Sequence, residues 1–222
     1  MNWPATEAHL VSSQRNLARA RPPQWTPEGQ YLVGGAWICF PRGLSGKGSA
    51  GDRAWAAAVV MDRGGVVGRC LVPGQASAPY VPGLLALRLG PLLADVVRRL
   101  APQPDVLLLD GTGRDHPRRA GLALQLGAVL ELPTVGVTHR PLTASGDWPA
   151  DVLGAASPLF IGPDQVATWL RTKQGTHPLV VHPGWRTDLA SAVAVATRSL
   201  AGHRTPEPLR RARQAARLLR EP

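Results

Sequence analysis

The segment from Val106 to Gly113 constrains the fold of this chain more than any other. Val106 to Leu109 are four consecutive apolar residues, a pattern typical of a buried strand, and Asp110 follows them directly. A Gly-Thr-Gly turn comes next. Because the carboxyl ends of strands in α/β sheets open into a crevice, an acid at this point is typical of a catalytic group. We therefore expect an α/β fold with Val106–Asp110 as its central strand and Asp110 at a cleft.

Helices and strands are predicted on both sides of this segment. Three strands come first, at Tyr31–Phe40, Ala54–Asp62 and Val66–Val72, and the last two are joined by a tight turn at Arg63-Gly64-Gly65. The remaining periodic segments alternate between helix and strand. We predict helices at Glu7–Arg21, Leu84–Leu100, His116–Leu130 and Leu189–Leu200, strands at Thr134–Thr138 and Pro178–His182, and loops at Gly43–Asp52 and Asp147–Gly154. This order predicts a single domain of 222 residues with a sheet flanked by helices.

The tail at 209–222 is predicted to be a basic amphipathic helix. Its residues, LRRARQAARLLRE after Pro208, place apolar side chains on one face and arginines on the other. We expect its leucines to pack on the domain and its arginines to face solvent.

The charge of the chain favours a polyanionic partner. The formal net charge is +10, and arginine carries almost all of the excess, since Lys47 and Lys173 are the two lysines. Nucleic acids gain affinity for such surfaces by releasing counterions, and the arginine fork suits phosphate. A genome that prefers arginine codons would give the same composition. Cys39 and Cys70 are too few for a disulfide framework and are expected to be buried thiols. With neither a membrane-length apolar run nor a signal-peptide pattern, the expected location is the cytoplasm.

Three motifs resemble a known family. They read PYVPG with LLALRLGP after it, LLLDGTGRDHPRR with GLALQLG after it, and LPTVGVTHRPL. Together they resemble endonuclease V, a metal-dependent nuclease that cuts nucleic acid near deaminated adenine (inosine). The resemblance implies an RNase H-like α/β fold, in which carboxylates hold one or two Mg²⁺ ions at the scissile phosphate.

The resemblance also implies that most catalytic positions have changed. Asp110 matches the central aspartate of the family. Trp37 stands where the family has its first aspartate, Leu89 where it has a glutamate, and Trp185 where a late histidine is expected. His139 replaces a lysine. The second Gly-His-Arg, at 202–204, lies beyond the last long helix and is not counted as the catalytic motif. The alignment further implies that Trp37 and Trp185 lie close in space.

Asp110 alone would hold Mg²⁺ weakly, because Mg²⁺ prefers several oxygen ligands. Four other acids could rebuild a site, but each has a simpler structural interpretation. Asp62 is expected to cap a turn, Asp115 and Asp188 to cap helices, and Glu131 to lie in a helix-to-strand connection.

The recognition residues of the family have counterparts here. The resemblance implies that the turn of Pro79, Tyr80, Val81 and Pro82 is a wedge that fills the gap left by the lesion, with Tyr80 as its stacking aromatic. It implies a pocket for the turned-out base. The pocket positions are Leu85, Gly111, Gly113, Gly121 and Leu142. His116, Arg118 and Arg119 also match, and we expect at least one of these arginines to contact phosphate.

Three functions follow as hypotheses. The first is a pseudo-nuclease that binds DNA or RNA, including inosine-containing strands, without cutting it. The second is an active endonuclease V, in DNA repair or on inosine-containing RNA, with a rearranged metal site that includes Asp110. The third is a scaffold or regulatory protein without nucleic-acid binding, in which the tryptophans give a dry pocket. No cofactor is expected for a pseudo-nuclease and Mg²⁺ for an active one. We expect no membrane partner and favour a monomer.

Overall fold

The computed structural model of the chain describes residues 3–44 and 48–220. The middle of the expected Gly43–Asp52 loop and the last two residues of the 209–222 tail lie outside the described residues.

The described part of the chain forms eight strands and five helices. In chain order they are α1 (Glu7–Arg19), β1 (Val33–Cys39), β2 (Arg53–Met61), β3 (Val66–Gln75), α2 (Leu85–Arg98), β4 (Val106–Leu109), α3 (Leu122–Leu130), β5 (Thr134–Thr138), β6 (Ala156–Ile161), β7 (Asp164–Leu170), β8 (Leu179–Pro183), α4 (Leu189–Arg198) and α5 (Glu207–Arg220).

All eight strands belong to one mixed sheet, ordered β3-β2-β1-β4-β5-β8-β7-β6. The three central strands β1, β4 and β5 are parallel, and every other neighbouring pair is antiparallel. The predicted strand at Val106–Asp110 is therefore central, as expected. Its four residues are fully buried, which explains why they form an unbroken apolar run rather than an alternating one.

Helices cover both faces of the sheet. Leu107 and Leu109 point toward the layer of α2 and α3, whereas Val106 and Leu108 point toward α4 and α5. Helix α1 packs on the outside of α2 and α3. The fold is the predicted RNase H-like α/β arrangement of a sheet between helical layers.

The predicted C-terminal helix is present and lies across β1 and β2. Its apolar side chains Leu209, Ala212 and Ala216 are buried as expected, but Leu218 is 62% exposed and Arg213 is half-buried, contrary to the expectation that the leucines pack and the arginines face solvent. A close approach to the sheet requires Gly35, because a Cβ there would lie 2.3 Å from the backbone of Pro208. This approach brings the inner face of α5 next to the end of β4.

Two predictions of secondary structure were wrong. The helix expected at His116–Leu130 begins at Leu122 instead, because residues 114–120 form a turn. The second miss is the pair β6 and β7, which the sequence did not suggest. Their hairpin extends the sheet beyond β8.

Within the described ranges, no helix combines the length and the apolar character needed to cross a bilayer. Cys39 is buried and Cys70 is half-buried, and neither forms a disulfide.

Candidate functional site

Asp110 lies at the centre of the sheet's carboxyl edge, where two parallel strands end side by side. Ala36 of β1 pairs with Leu109 of β4, so the next residue of each strand, Trp37 and Asp110, are neighbours. Side chains alternate along a strand, and both of these residues point toward α5. Trp37 packs there against the cores beneath α4 and α5.

On the α5 side, Asp110 borders a very small pocket. Its volume is about 10 Å³, room for at most one water molecule. Trp37, His139, Leu209 and Arg213 line it together with Asp110. The guanidinium carbon of Arg213 lies 5.6 Å from the centroid of the Trp37 ring, a cation–π distance.

The protein environment favours the neutral form of Asp110. Burial raises the pKa of the Asp110 carboxyl to about 6, and the positive charge of Arg213 opposes this rise. The side chain remains accessible to solvent, since it lies at the floor of an open cleft rather than in a closed core. A ligand in the cleft can therefore reach it.

The cleft on the other side of Asp110 has a volume of about 350 Å³. Its walls come from four regions: α1, the turn before α2 with the start of that helix, the loop after β4, and the segment after β5. The predicted recognition residues found in its lining are Tyr80, Val81, Pro82, Leu85, Gly111, His116 and Leu142. Leu89 also lines it, so an isobutyl group faces the space beside Asp110.

The predicted wedge lies at the mouth of this cleft. Tyr80 is 41% exposed and Val81 is 39% exposed, which leaves both available to a ligand. The turn closes at Gly83, which has a positive φ of 77°. An exposed aromatic on a fixed turn suits stacking against a base.

His116 and Arg118 hold the wedge turn in place. The Gly83 carbonyl accepts hydrogen bonds from Arg118 Nη2 at 2.7 Å and His116 Nε2 at 3.1 Å. The amide of Arg118 donates to His116 Nδ1, so the ring proton is on Nε2. Burial and then the charge of Arg118 lower the pKa of His116 to about 4, and the ring is neutral at physiological pH.

The arginines of this motif have protein partners in the structure. Arg118 Nε also donates to the Gln14 side chain at 2.5 Å, and Arg119 Nη2 lies 3.2 Å from the Ile161 carbonyl and 3.3 Å from Asp164. The phosphate contact expected for one of them stays a prediction. What the geometry adds is a positioning role for Arg118.

Two of the predicted pocket glycines do not line the cleft. A Cβ on Gly113 would lie 2.0 Å from the Pro183 carbonyl, and one on Gly121 would lie 2.2 Å from the Thr112 hydroxyl. The amide of Gly121 donates to the Gly113 carbonyl at 2.7 Å. Both glycines therefore allow the loop after β4 to pack tightly, which sets the position of Gly111.

Comparisons with known proteins identify the family and the fold of the chain. The family model described as Endonuclease V matches residues 26–214. The chain belongs to the endonuclease V family. It is 38% identical over 215 residues to an endonuclease V from Streptomyces coelicolor, an alignment that covers 95% of this chain and 89% of that protein.

Solved structures show the same fold. The endonuclease V of Streptomyces avermitilis superposes with a TM-score of 0.85 at 36% identity, covering 99% of this chain and 95% of that one. The endonuclease V of Ciona intestinalis, solved with a 24mer DNA containing an inosine followed by a ribo-adenosine, gives a TM-score of 0.79 at 20% identity. That superposition covers 96% of this chain and 97% of the other.

The residues around Asp110 do not fit a magnesium ion. Mg²⁺ requires near-octahedral oxygen ligands, but Asp110 is accompanied by an indole, an isobutyl group and a guanidinium. Over residues 3–44 and 48–220, no group of three or more His, Cys, Asp or Glu side chains is arranged to hold a metal. A small pocket lined by a cation disfavours a second cation.

The four alternative acids are used elsewhere. Asp62 accepts hydrogen bonds from the amides of its turn, Asp188 caps α4 at the Ser191 amide, and Glu131 ends α3 in a left-handed conformation. These three roles match the expectations. The helix-cap role predicted for Asp115 is wrong, because its carboxylate binds the backbone of residues 142–144.

Trp185 requires a further correction to the expected site. It packs beside α3, against Leu17, Leu124 and Ala128, whereas Trp37 faces α5. The two tryptophans therefore lie on opposite faces of the sheet and do not fill one pocket. His139 does reach the small pocket beside Asp110 and is exposed.

Arg213 is the site residue that the sequence analysis missed. Arg210, Arg213 and Arg217 recur at helical spacing, so they could have been placed on one face of α5. The sequence offered no signal that this face of α5 lies next to Asp110, because the distance between the helix and Asp110 depends on how α5 crosses β1.

Proposed function

We propose that this member of the endonuclease V family is a pseudo-nuclease that binds nucleic acid at a deaminated base without hydrolysing it. The observation that carries the proposal is the pairing of a cleft lined by most of the predicted recognition residues with Trp37, Leu89 and Arg213 around Asp110.

The cleft supports base recognition. Its volume of about 350 Å³ lies at the lower end of the usual range for small-ligand sites, and it suits a single flipped base. Asp110, Gly111 and Thr112 are among the residues that line it and bring polar groups to it. Exposed Tyr80 at the mouth can occupy the space that the base leaves in the stack.

The partner is a nucleic acid containing inosine. The Ciona intestinalis endonuclease V was solved with inosine-containing DNA, and the net charge of +10 favours a polyanion. Both DNA and RNA strands are candidates, because the backbone phosphate that the arginines would contact is common to both.

Loss of hydrolysis follows from the small number of oxygen ligands available to a metal ion around Asp110. In metal-dependent phosphodiester cleavage the ion both activates water and neutralises the developing charge on phosphate. Asp110 offers one carboxylate, and among the described residues no group of three or more His, Cys, Asp or Glu side chains could hold a metal. A single carboxylate with a raised pKa is a weak ligand for such an ion.

The test uses the purified protein with labelled DNA and RNA strands that carry either one inosine or adenine at the same position. Binding is measured in EDTA, and cleavage is measured with Mg²⁺ and with Mn²⁺. We expect tighter binding to the inosine strands and no product with either metal. Metal-dependent cleavage that disappears in Asp110→Ala would instead establish a rearranged metal site. Absence of binding to every strand would favour a scaffold.

A matched pair of variants tests the wedge. Tyr80→Ala should lose about tenfold or more in affinity, because stacking of one base on an aromatic contributes ~1–3 kcal/mol. Phe160→Ala is the control, since Phe160 is similarly exposed at 39% but lies on the edge strand β6, four strands from β4. Equal effects of the two variants would rule out Tyr80 as the stacking residue.

A further inference from the structure

Arg213 is held at the small pocket beside Asp110 by the fold rather than by an ion pair. It lies on the inner side of α5, half-buried, with its guanidinium over the Trp37 ring at 5.6 Å. Trp37 is fixed in β1 beside Asp110. The guanidinium therefore has a defined position next to the only carboxylate that the chain retains from the endonuclease V metal site.

The hydrogen-bonding capacity of Arg213 is unused within the described chain. For residues 3–44 and 48–220, its guanidinium makes no hydrogen bond and no ion pair within 4.0 Å. Neighbours on the same helix differ, because Arg210 and Arg211 both bind Glu207 at 2.6–2.7 Å. A guanidinium has five N–H donors in a planar fork, which matches the oxygens of a phosphate.

The charge around Arg213 is unbalanced. Burial and the charges of Arg217 and Arg210 lower its pKa, while Asp110 raises it. Burial and then the charge of Arg204 lower the pKa of His139, which lines the same small pocket. Glu207 is paired with Arg210 and Arg211, which leaves Asp110 facing the charges of Arg204, Arg213 and Arg217, so an anion entering beside Asp110 would meet a net positive charge.

We propose that Arg213 takes the electrostatic place of the metal ion and binds a backbone phosphodiester of the strand whose base enters the cleft. The inference rests on the proposed function and names its phosphate site. A metal ion would be held by carboxylates and would supply positive charge to the phosphate. Here the Arg213 guanidinium binds the phosphate directly and also supplies the positive charge beside Asp110. Such a contact neutralises phosphate but delivers no activated water, so the strand is held and not cut. Binding should then be independent of divalent ions.

The experiment measures affinity for an inosine-containing strand in EDTA by fluorescence anisotropy. Arg213→Gln is compared with Arg98→Gln, which removes the same charge. Arg98 is an exposed residue in the last turn of α2, a helix about 20 Å long whose opposite end lines the cleft. We expect Arg213→Gln to weaken binding about tenfold and to reduce the slope of log affinity against log salt by about 1. Arg98→Gln should change affinity by less than about twofold.

A second measurement assigns the contact to one phosphate. It compares linkages within each protein, so a partly unfolded variant would lower the affinity for all of them alike. Single linkages near the inosine are replaced in turn by neutral methylphosphonate. In the wild-type protein, one linkage should cost about tenfold in affinity, and the same replacement should cost little in Arg213→Gln.

Each result decides the matter. A linkage whose replacement is costly in wild type and harmless in Arg213→Gln supports the proposal. Equal effects of Arg213→Gln and Arg98→Gln, or no sensitive linkage in wild type, overturn it while leaving the pseudo-nuclease function intact. Failure of the wild-type protein to bind any strand would defeat both.

Discussion

The carboxylate of Asp115 accepts a hydrogen bond of 2.7 Å from the backbone amide of Leu142. It also accepts from the amides of Thr143 and Ala144 and from the Thr143 hydroxyl, all within 2.9 Å. Burial alone would raise the pKa of Asp115, but the three amide bonds hold it below its ordinary value. One buried side chain thus joins the loop after β4 to the segment after β5, and both segments contribute residues to the lining of the cleft.

Asp115→Asn should destabilise the protein by about 3 kcal/mol, because an amide replaces a charged acceptor and turns N–H groups toward backbone donors. The free energy of unfolding in urea measures the loss. Asp164→Asn removes a carboxylate that is 67% exposed and paired with Arg119, and should cost less than about 1 kcal/mol. Similar losses for the two variants would contradict a structural role for the Asp115 bonds.

Arg118→Ala should weaken binding to inosine-containing strands by loosening the wedge turn rather than by removing a phosphate contact. Its guanidinium donates to the Gly83 carbonyl and to Gln14, so its loss frees the segment that carries Tyr80. We expect lower affinity with an unchanged salt slope, in contrast to Arg213→Gln. A slope reduced by about 1 would instead make Arg118 a phosphate ligand, as the sequence suggested.

Local patterns in the sequence predicted much of this molecule. The apolar run before Asp110 predicted a buried central strand, and the three strands from Tyr31 to Val72 and the basic C-terminal helix were confirmed. These elements carry strong periodicity or unbroken apolar runs, which depend little on the rest of the chain. The recognition residues came from three separate motifs, and most of them do line one cleft.

Predictions that depended on distant contacts failed. Asp115 resembled a helix cap next to a proline, but its partners lie 27–29 residues away. Trp185 was placed with Trp37 by a short motif, although a sheet separates them. Strands β6 and β7 lack the clear alternation of an isolated strand and gain stability from β8 and the loop at Ser145.

The raised pKa of Asp110 predicts a specific pH dependence of stability. The carboxyl titrates near its ordinary value of 3.8 in the unfolded chain and at about 6 in the fold. Between these values the native state binds more protons, so wild type loses stability relative to Asp110→Asn as pH rises through this window. The urea midpoints of both proteins, measured below and above this pH window, give the difference in stability. The titrations of buried His116 and His182 are common to both proteins and cancel in that difference. A difference independent of pH would contradict the raised pKa.

The lack of oxygen ligands around Asp110 can be tested by adding them. Trp37→Asp and Leu89→Glu place carboxylates on either side of Asp110, and Arg213→Gln removes the competing cation. Three carboxylates without that cation meet the requirement of Mg²⁺ or Mn²⁺ for oxygen ligands. We expect the triple variant to be less stable than wild type without metal, because three like charges repel each other.

The variant should recover stability when Mn²⁺ is added, since a ligand that binds only the native state raises the melting temperature. Wild type should show no such shift, and the double variant Trp37→Asp/Leu89→Glu should show a smaller one because Arg213 still repels the ion. An equal shift in wild type would mean that the native residues already hold a metal, and the substitutions at Trp37 and Leu89 would then not explain a loss of cleavage.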